Sequence, residues 1–338
     1  MVEGRKVHTH GPPGPRRGAR PALRFPGIRP DIVHERADHR AGRRRARRRA
    51  RADGVCAGGA AGGGRRKREV GRRGGKREVG IRVTDEFSLA GKNALVIGAS
   101  NSLGRAAAVA LAEAGANVGV TTSTRLQREE VAANSCANEV WALNRKGFAQ
   151  AIDAADEADV RAAIERAVLE FGKLDVLVNA QDLPFAKPLT EITPAEWRRV
   201  LDVNLTGVYL ACRAAGERML SQEYGRVINI ASVLGERGMA NVGAYCAAQA
   251  GVLNMTRALA LEWARRGVTV NAIGAGWTAG MGIIGGDEGR QALERYLPYK
   301  RLAKPEEIAG AVVYLASDAA AYLTGQVIWI EGGALSHV

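Results

Sequence analysis

The chain has 338 residues, 46% of them hydrophobic, which is enough to bury a sizeable core. Its formal net charge of +14 is uneven: residues 1–82 hold 25 Lys and Arg against 7 Asp and Glu, whereas 83–338 hold 24 against 28, so the globular part gives no electrostatic grounds for binding nucleic acid or an anionic membrane. Four scattered cysteines (Cys56, Cys136, Cys212, Cys246) form no C-x-x-C pair and point to a reducing, cytoplasmic setting, and with no histidine between residues 40 and 336 the core cannot build a Ser-His-Asp triad or a His-rich zinc site.

Residues 1–82 contain runs such as Arg43 to Arg49, many glycines, a single aromatic (Phe25), no serine and no apolar periodicity. Such a segment cannot offset its chain entropy and is expected to be a disordered basic leader. It has no apolar stretch for a signal-peptide core or a membrane span. The leader is either a tail that binds nucleic acid through phosphates or translated upstream sequence from a misplaced start; the abrupt composition change near Val83 favours the second.

From Phe87 on, short apolar runs alternate with helical patterns, which predicts one α/β domain over 83–338: a Rossmann-like, doubly wound, parallel seven-stranded sheet with helices on both faces. The strand candidates are Asn93 to Gly98, Asn117 to Thr121, Gly147 to Ile152, Leu174 to Asn179, Arg226 to Ala231, Val268 to Ile273 and Gln326 to Ile330. Between the third and fourth, Val160, Ile164, Val168 and Phe171 mark one stripe of a helix from Glu157 to Phe171, with Gly172 as its stop. Two longer helices are expected over Pro194 to Ser221 and Val242 to Arg265.

The first strand runs into Gly98-Ala-Ser100-Asn101-Ser102-Leu103-Gly104 and a helix from Arg105. A tight small-residue turn leading to a helix N-terminus lets backbone N–H groups and the positive dipole end approach a pyrophosphate. The second strand ends Thr121-Thr122-Ser123-Thr124-Arg125, with no acid at its end to hold an adenosine ribose 2′-hydroxyl. Hydroxyls and an arginine there suit a 2′-phosphate, so NADP(H) is expected over NAD(H). Downstream, Ser232 closes an apolar run and Tyr245 follows early in a helix, two hydroxyls able to meet over one substrate oxygen. Gln249, four residues beyond Tyr245, shares its helix face.

These motifs, in this order, resemble the short-chain dehydrogenase/reductase family from about Phe87 to Gly333. The resemblance rests on Gly98-x-x-x-Ser102-x-Gly104, Leu201-Asp-Val-Asn204, Ser232 with Tyr245, Asn271-Ala-Ile-Gly-Ala-Gly276, and Leu323 to Ile328 with Glu331-Gly-Gly333. It implies hydride transfer between a nicotinamide and a carbonyl or alcohol carbon. Tyr245 would be the acid/base, Ser232 would orient the oxygen, and Asn204 would support a proton-relay water. Asp153 would contact adenine, Asn179, Gly276 and Thr278 would line the cofactor, and the chain would form a homodimer or homotetramer. No metal is implied.

Four positions depart from the family pattern. Gln249 stands where the family has a lysine that binds the nicotinamide ribose and lowers the tyrosine pKa; an amide can bond a ribose hydroxyl but carries no charge. Asn179-Ala-Gln-Asp182 replaces Asn-Asn-Ala-Gly and brings a carboxylate near the cleft. Ala275 replaces a proline, and Gly280 aligns with a threonine although Thr278 is near. Two alternatives follow: a dinucleotide-binding pseudoenzyme, or a non-redox lyase resembling halohydrin dehalogenases. For a mostly hydrophobic substrate, the pocket candidates are Phe185, Leu234, Met239, Trp277, Met281 and Ile283, with a lid over Thr278 to Tyr299.

Overall fold

In chain order the helices and strands are α1 (Val83–Glu86), β1 (Asn93–Ile97), α2 (Ser102–Glu113), β2 (Asn117–Thr121), α3 (Gln127–Ala142), β3 (Gly147–Gln150), α4 (Glu157–Phe171) and β4 (Val176–Asn179). They continue with α5 (Pro194–Leu201), α6 (Gly207–Gln222), β5 (Gly225–Ser232), α7 (Gly243–Trp263), β6 (Val268–Ala275), α8 (Gly286–Tyr296), α9 (Glu306–Ala316) and β7 (Val327–Ile330). This computed structural model describes residues 83–279, 281 and 286–336. The expectations for the 1–82 leader, and for Gly280, Gly282, Ile283 and Gly285 in the lid, lie outside the described residues.

The seven strands form one parallel sheet in the order β3-β2-β1-β4-β5-β6-β7. All seven fall where the apolar runs placed them. β1, β3, β4 and β7 are one or two residues shorter than expected, and β5 and β6 longer. Successive strand residues face opposite sides, and here both sides are dry. Leu95, Ile97, Leu177 and Val227 pack with α4, α6 and α7, while Ala94, Val96, Val178 and Ile228 pack with α2, α3 and α9. Each such buried Leu, Ile or Val side chain contributes roughly 1.5–3 kcal/mol, which is why continuously apolar strands specify the middle layer.

Helix ends follow local chemistry. Asp156 caps α4, accepting the Asp159 N–H at 3.0 Å, and Gly172 ends it with φ of 86°. Thr193 and Glu196 form a reciprocal capping box ahead of Pro194 at the start of α5. The single helix expected over Pro194 to Ser221 is instead two, joined by a π turn, Asp202–Thr206, in which the Gly207 N–H reaches back five residues to the Asp202 carbonyl. A Cβ on Gly207 would lie 2.5 Å from the Ala154 carbonyl oxygen, so only glycine lets α6 start this close to the β3–α4 connection.

Candidate active site

The strand order reverses between β1 and β4, and a crevice opens beyond the carboxyl ends of the strands at such a point. A cleft of about 240 Å³ lies there, lined among others by Asn101, Ser102 and Leu103 from the β1–α2 turn, Ser232 from β5, Tyr245 and Gln249 from α7, and Thr278 after β6. Gly98 has φ of 87°, and a Cβ on it would meet the Gln181 backbone at 2.5 Å. A Cβ on Gly104 would come within 2.3 Å of the Gly98 carbonyl oxygen. Both glycines are thus dictated by close backbone approach. Asn101 holds the turn: its Oδ1 accepts the Gly104 N–H at 2.9 Å and its Nδ2 donates to the Ala180 carbonyl at 2.6 Å. The Ser102 and Leu103 amides at the start of α2 have no acceptor within the helix, and both residues line the cleft, a place suited to holding an anion.

At the far end of β2 the structure brings in an acid from further along the chain. No acid follows the strand directly, but Glu129, in the first turn of α3, folds back to the place. Its Oε2 accepts the Ser123 and Thr124 N–H groups, each at 2.9 Å, and the Ser100 hydroxyl at 3.0 Å, while its Oε1 accepts the Thr124 hydroxyl at 2.8 Å. Arg125 points elsewhere, paired with Asp159 at 2.9 and 2.5 Å in an exposed bridge. Thr122 is fully buried and ties β2 to β3 through Ile152, so its hydroxyl is structural. Asp153 is bridged to Arg199 of α5 at 3.2 Å and accepts the Ala155 N–H.

At the other end of the cleft Ser232, Tyr245 and Gln249 do come together. Ser232 Oγ accepts the Leu234 N–H at 3.2 Å, which leaves its own proton to donate. The Gln249 side-chain oxygen accepts the Ser232 N–H at 3.0 Å, so the residue in the lysine position braces β5 against α7. Tyr245 is 2% exposed and donates its hydroxyl to Asp182 Oδ1 at 2.8 Å. Burial first, then the adjoining carboxylate and the bond to it, push Tyr245 well above its ordinary pKa, with the Ser232 hydroxyl opposing. Burial likewise pushes Asp182 up to about 6, against the lowering effect of the tyrosine bond.

Two residues expected in the site have their side chains spent elsewhere. Asn179 donates to Asn229 Oδ1 at 2.8 Å and to the Cys212 sulfur at 3.4 Å, inside the core between sheet and α6. Asn204 lies in the π turn and staples the loop after β4: its Oδ1 accepts the Leu183 N–H and its Nδ2 donates to the Leu183 and Val200 carbonyls. Gly276 lines a second cleft, with Trp277 and Glu331, rather than this one. Of the pocket candidates, Met281 lines the site, Leu234 and Trp277 are buried in the adjoining core, Phe185 packs against that core, and Met239 is exposed. No described helix is long and apolar enough to cross a membrane, and the described residues contain no metal-binding cluster.

The comparisons with known proteins bear on the family and the fold. The family model described as enoyl-(acyl carrier protein) reductase matches residues 98–334. The 3-oxoacyl-(acyl-carrier-protein) reductase FabG of Staphylococcus aureus is 38% identical over 243 residues, 72% of this chain and 97% of that protein. D-threitol dehydrogenase of Mycolicibacterium smegmatis is 38% identical over 258 residues, 75% and 96% of the two chains. Among solved structures, gluconate 5-dehydrogenase from Burkholderia cenocepacia, in complex with NADP and tartrate, superposes with a TM-score of 0.70 at 29% identity, covering 76% of this chain and all of that one. The chain therefore belongs to the short-chain dehydrogenase/reductase family and is an NAD(P)-dependent oxidoreductase acting on CH–OH groups and the matching ketones.

Proposed function

We propose that the protein interconverts a secondary alcohol and a ketone on a small, mostly apolar substrate, with Tyr245 as acid/base and Ser232 orienting the substrate oxygen. The observation that carries this reading is one cleft running from the Gly98–Gly104 turn to the paired hydroxyls of Ser232 and Tyr245. The residues fit a nicotinamide dinucleotide at its pyrophosphate: two glycines that no Cβ could replace close the turn, and helix amides point at the anion. When bound, the cofactor supplies or takes the hydride. Ser232 then donates to the substrate oxygen, holding it where Tyr245 can exchange a proton with it. Gln249 keeps β5 and α7 at the spacing this requires. The active unit is residues 83–338 as a homodimer or homotetramer, preceded by the 1–82 leader and working in the cytoplasm.

On cofactor preference the sequence expectation of NADP(H) rested on Arg125 and the hydroxyls after β2. With Arg125 held by Asp159 and Glu129 occupying the Ser123 and Thr124 amides, a carboxylate stands ready to accept a ribose 2′-hydroxyl and to repel a 2′-phosphate. NAD(H) is the better fit.

The test is a fluorescence titration with NADH and NADPH alongside turnover of a ketone and alcohol panel, for the full chain and for Tyr245→Phe. Both proteins should bind; the variant should lose turnover by about 10²–10⁴-fold, the usual worth of a positioned proton donor. Equal turnover, or no nicotinamide binding, would refute the reading. Binding without turnover in the unaltered chain would instead support a dinucleotide-binding protein without catalysis, a reading favoured by the neutral residue at 249.

A further inference from the structure

We propose that Asp182 is the proton acceptor for Tyr245, so that a Tyr–Asp pair does the work that a cationic partner of the tyrosine does elsewhere in the family. The inference rests on the redox reading above. Asp182 and Tyr245 line the same cleft and are joined by a 2.8 Å hydrogen bond in which the tyrosine donates. Among the described lining residues there is no Lys, Arg or His, and Asp182 and Tyr245 are the ionisable pair. A buried tyrosine without a cation cannot rest as phenolate, and a neutral tyrosine accepts a proton only if it sheds its own. The carboxylate that takes its hydrogen bond is placed to receive that proton.

In alcohol oxidation the substrate O–H proton passes to Tyr245 Oη and the tyrosine proton passes to Asp182 Oδ1. The carbon–hydrogen bond breaks with its electron pair going to the oxidised nicotinamide. The products are ketone, reduced nicotinamide and a protonated Asp182, which returns its proton to solvent through the cleft. Ketone reduction runs the same transfers backwards and needs the carboxyl form. Burial lifts Asp182 to about 6, so both forms are reached near neutral pH. Tyr245 is the titratable group acting on Asp182, and Cys246 from α7 and the Ser232 hydroxyl from β5 act in turn on Tyr245; no charged side chain shifts Asp182.

The experiment uses the full chain, Asp182→Asn, Asp182→Glu and Tyr245→Phe. Asparagine keeps an acceptor oxygen for the tyrosine but cannot take its proton. Carboxyl infrared absorption of the cofactor-free protein should show one group titrating near 6, absent in Asp182→Asn and moved to higher pH in Tyr245→Phe, where the bond that lowers it is gone. Oxidation rate should rise with pH through the same midpoint. Asp182→Asn should lose that limb and about 10²–10³-fold in rate while binding NADH as before, and Asp182→Glu should keep the limb. An Asp182→Asn enzyme with unchanged rate and pH profile, or a carboxyl that ignores Tyr245→Phe in a chain that turns over, overturns this inference alone. A chain that binds nicotinamide yet oxidises no alcohol overturns the redox reading, and the base role with it.

Discussion

Replacing Glu129 by alanine should relax the choice between NADH and NADPH, and the size of the effect follows from where its carboxylate sits. Glu129 Oε2 lies 2.9 Å from the Ser123 and Thr124 nitrogens. A 2′-phosphate drawing on those amides must either displace the carboxylate or settle beside it. Two like charges about 5 Å apart cost about 0.8 kcal/mol in water and about 3 kcal/mol at an effective dielectric of about 20. For a half-buried site and a phosphate near −2, about 2–3 kcal/mol after screening is reasonable, or roughly 30- to 150-fold. Fluorescence titration of the full chain should therefore show the NADPH-to-NADH dissociation-constant ratio falling by about that factor in Glu129→Ala. Most of the change should lie in NADPH. Glu129→Gln, which keeps an acceptor for the loop but drops the charge, should fall between. An unaltered chain that already binds NADPH tenfold more tightly, or a ratio that neither variant moves, would refute the argument.

Restoring the family's lysine in Gln249→Lys brings a cation to Tyr245 but strips the Ser232 N–H of its acceptor, a loss of about 1–3 kcal/mol. Turnover at neutral pH should change little, because Asp182 already serves Tyr245, while the thermal midpoint drops; a rise by orders of magnitude in a folded variant would argue that the tyrosine lacks a working proton partner in the unaltered chain. The raised Asp182 pKa also makes a stability statement. A carboxyl near 6 when folded and about 3.9 when unfolded binds its proton more tightly in the native state, so stability falls as pH rises from about 4 to 6. Asp182→Asn should thus be more stable than the parent above pH 6, by about 1–3 kcal/mol after allowing for partial exposure to the cleft. The gain should vanish below pH 4. A gain of equal size at both ends would point to packing rather than ionisation.

Much of the architecture was legible because the apolar runs are unbroken: Ala94 to Ile97 and Val176 to Val178 leave no polar face, which only a doubly covered parallel strand permits. The turn at Gly98–Gly104 and the Ser232–Tyr245–Gln249 grouping were legible for a related reason, since close approach and helix periodicity act over a few residues. What stayed hidden was pairing across longer distances. Glu129 caps a loop from the third position of its helix, and Leu126 before that helix offers no side-chain cap, a local vacancy that could have signalled the acid reaching back. Asp182 stands 63 residues from the tyrosine it meets, and no sequence period reports that contact. The side-chain partners of Asn179 and Asn204 were hidden for the same reason. The Asn229 amide and the Leu183 backbone, far away in sequence, claim their side chains.

The π turn at Asp202–Thr206 has a bearing on how this chain tolerates changes of length. A π turn is an α turn carrying one residue too many, and each α-helical residue advances the face by about 100°. The turn absorbs that residue locally, so deleting one there would restore α-helical bonding from Pro194 to Gln222 with both flanks close to their present faces, whereas a deletion elsewhere in α5 or α6 would turn one flank by that angle. Gly207 would keep its place against the Ala154 carbonyl, while Asn204 would lose the wide turn from which it holds the Leu183 backbone, and the loop bearing Asp182 would come loose from its staple. The extra residue thus serves the active-site loop rather than the helix: its loss should leave the fold in place and cost activity.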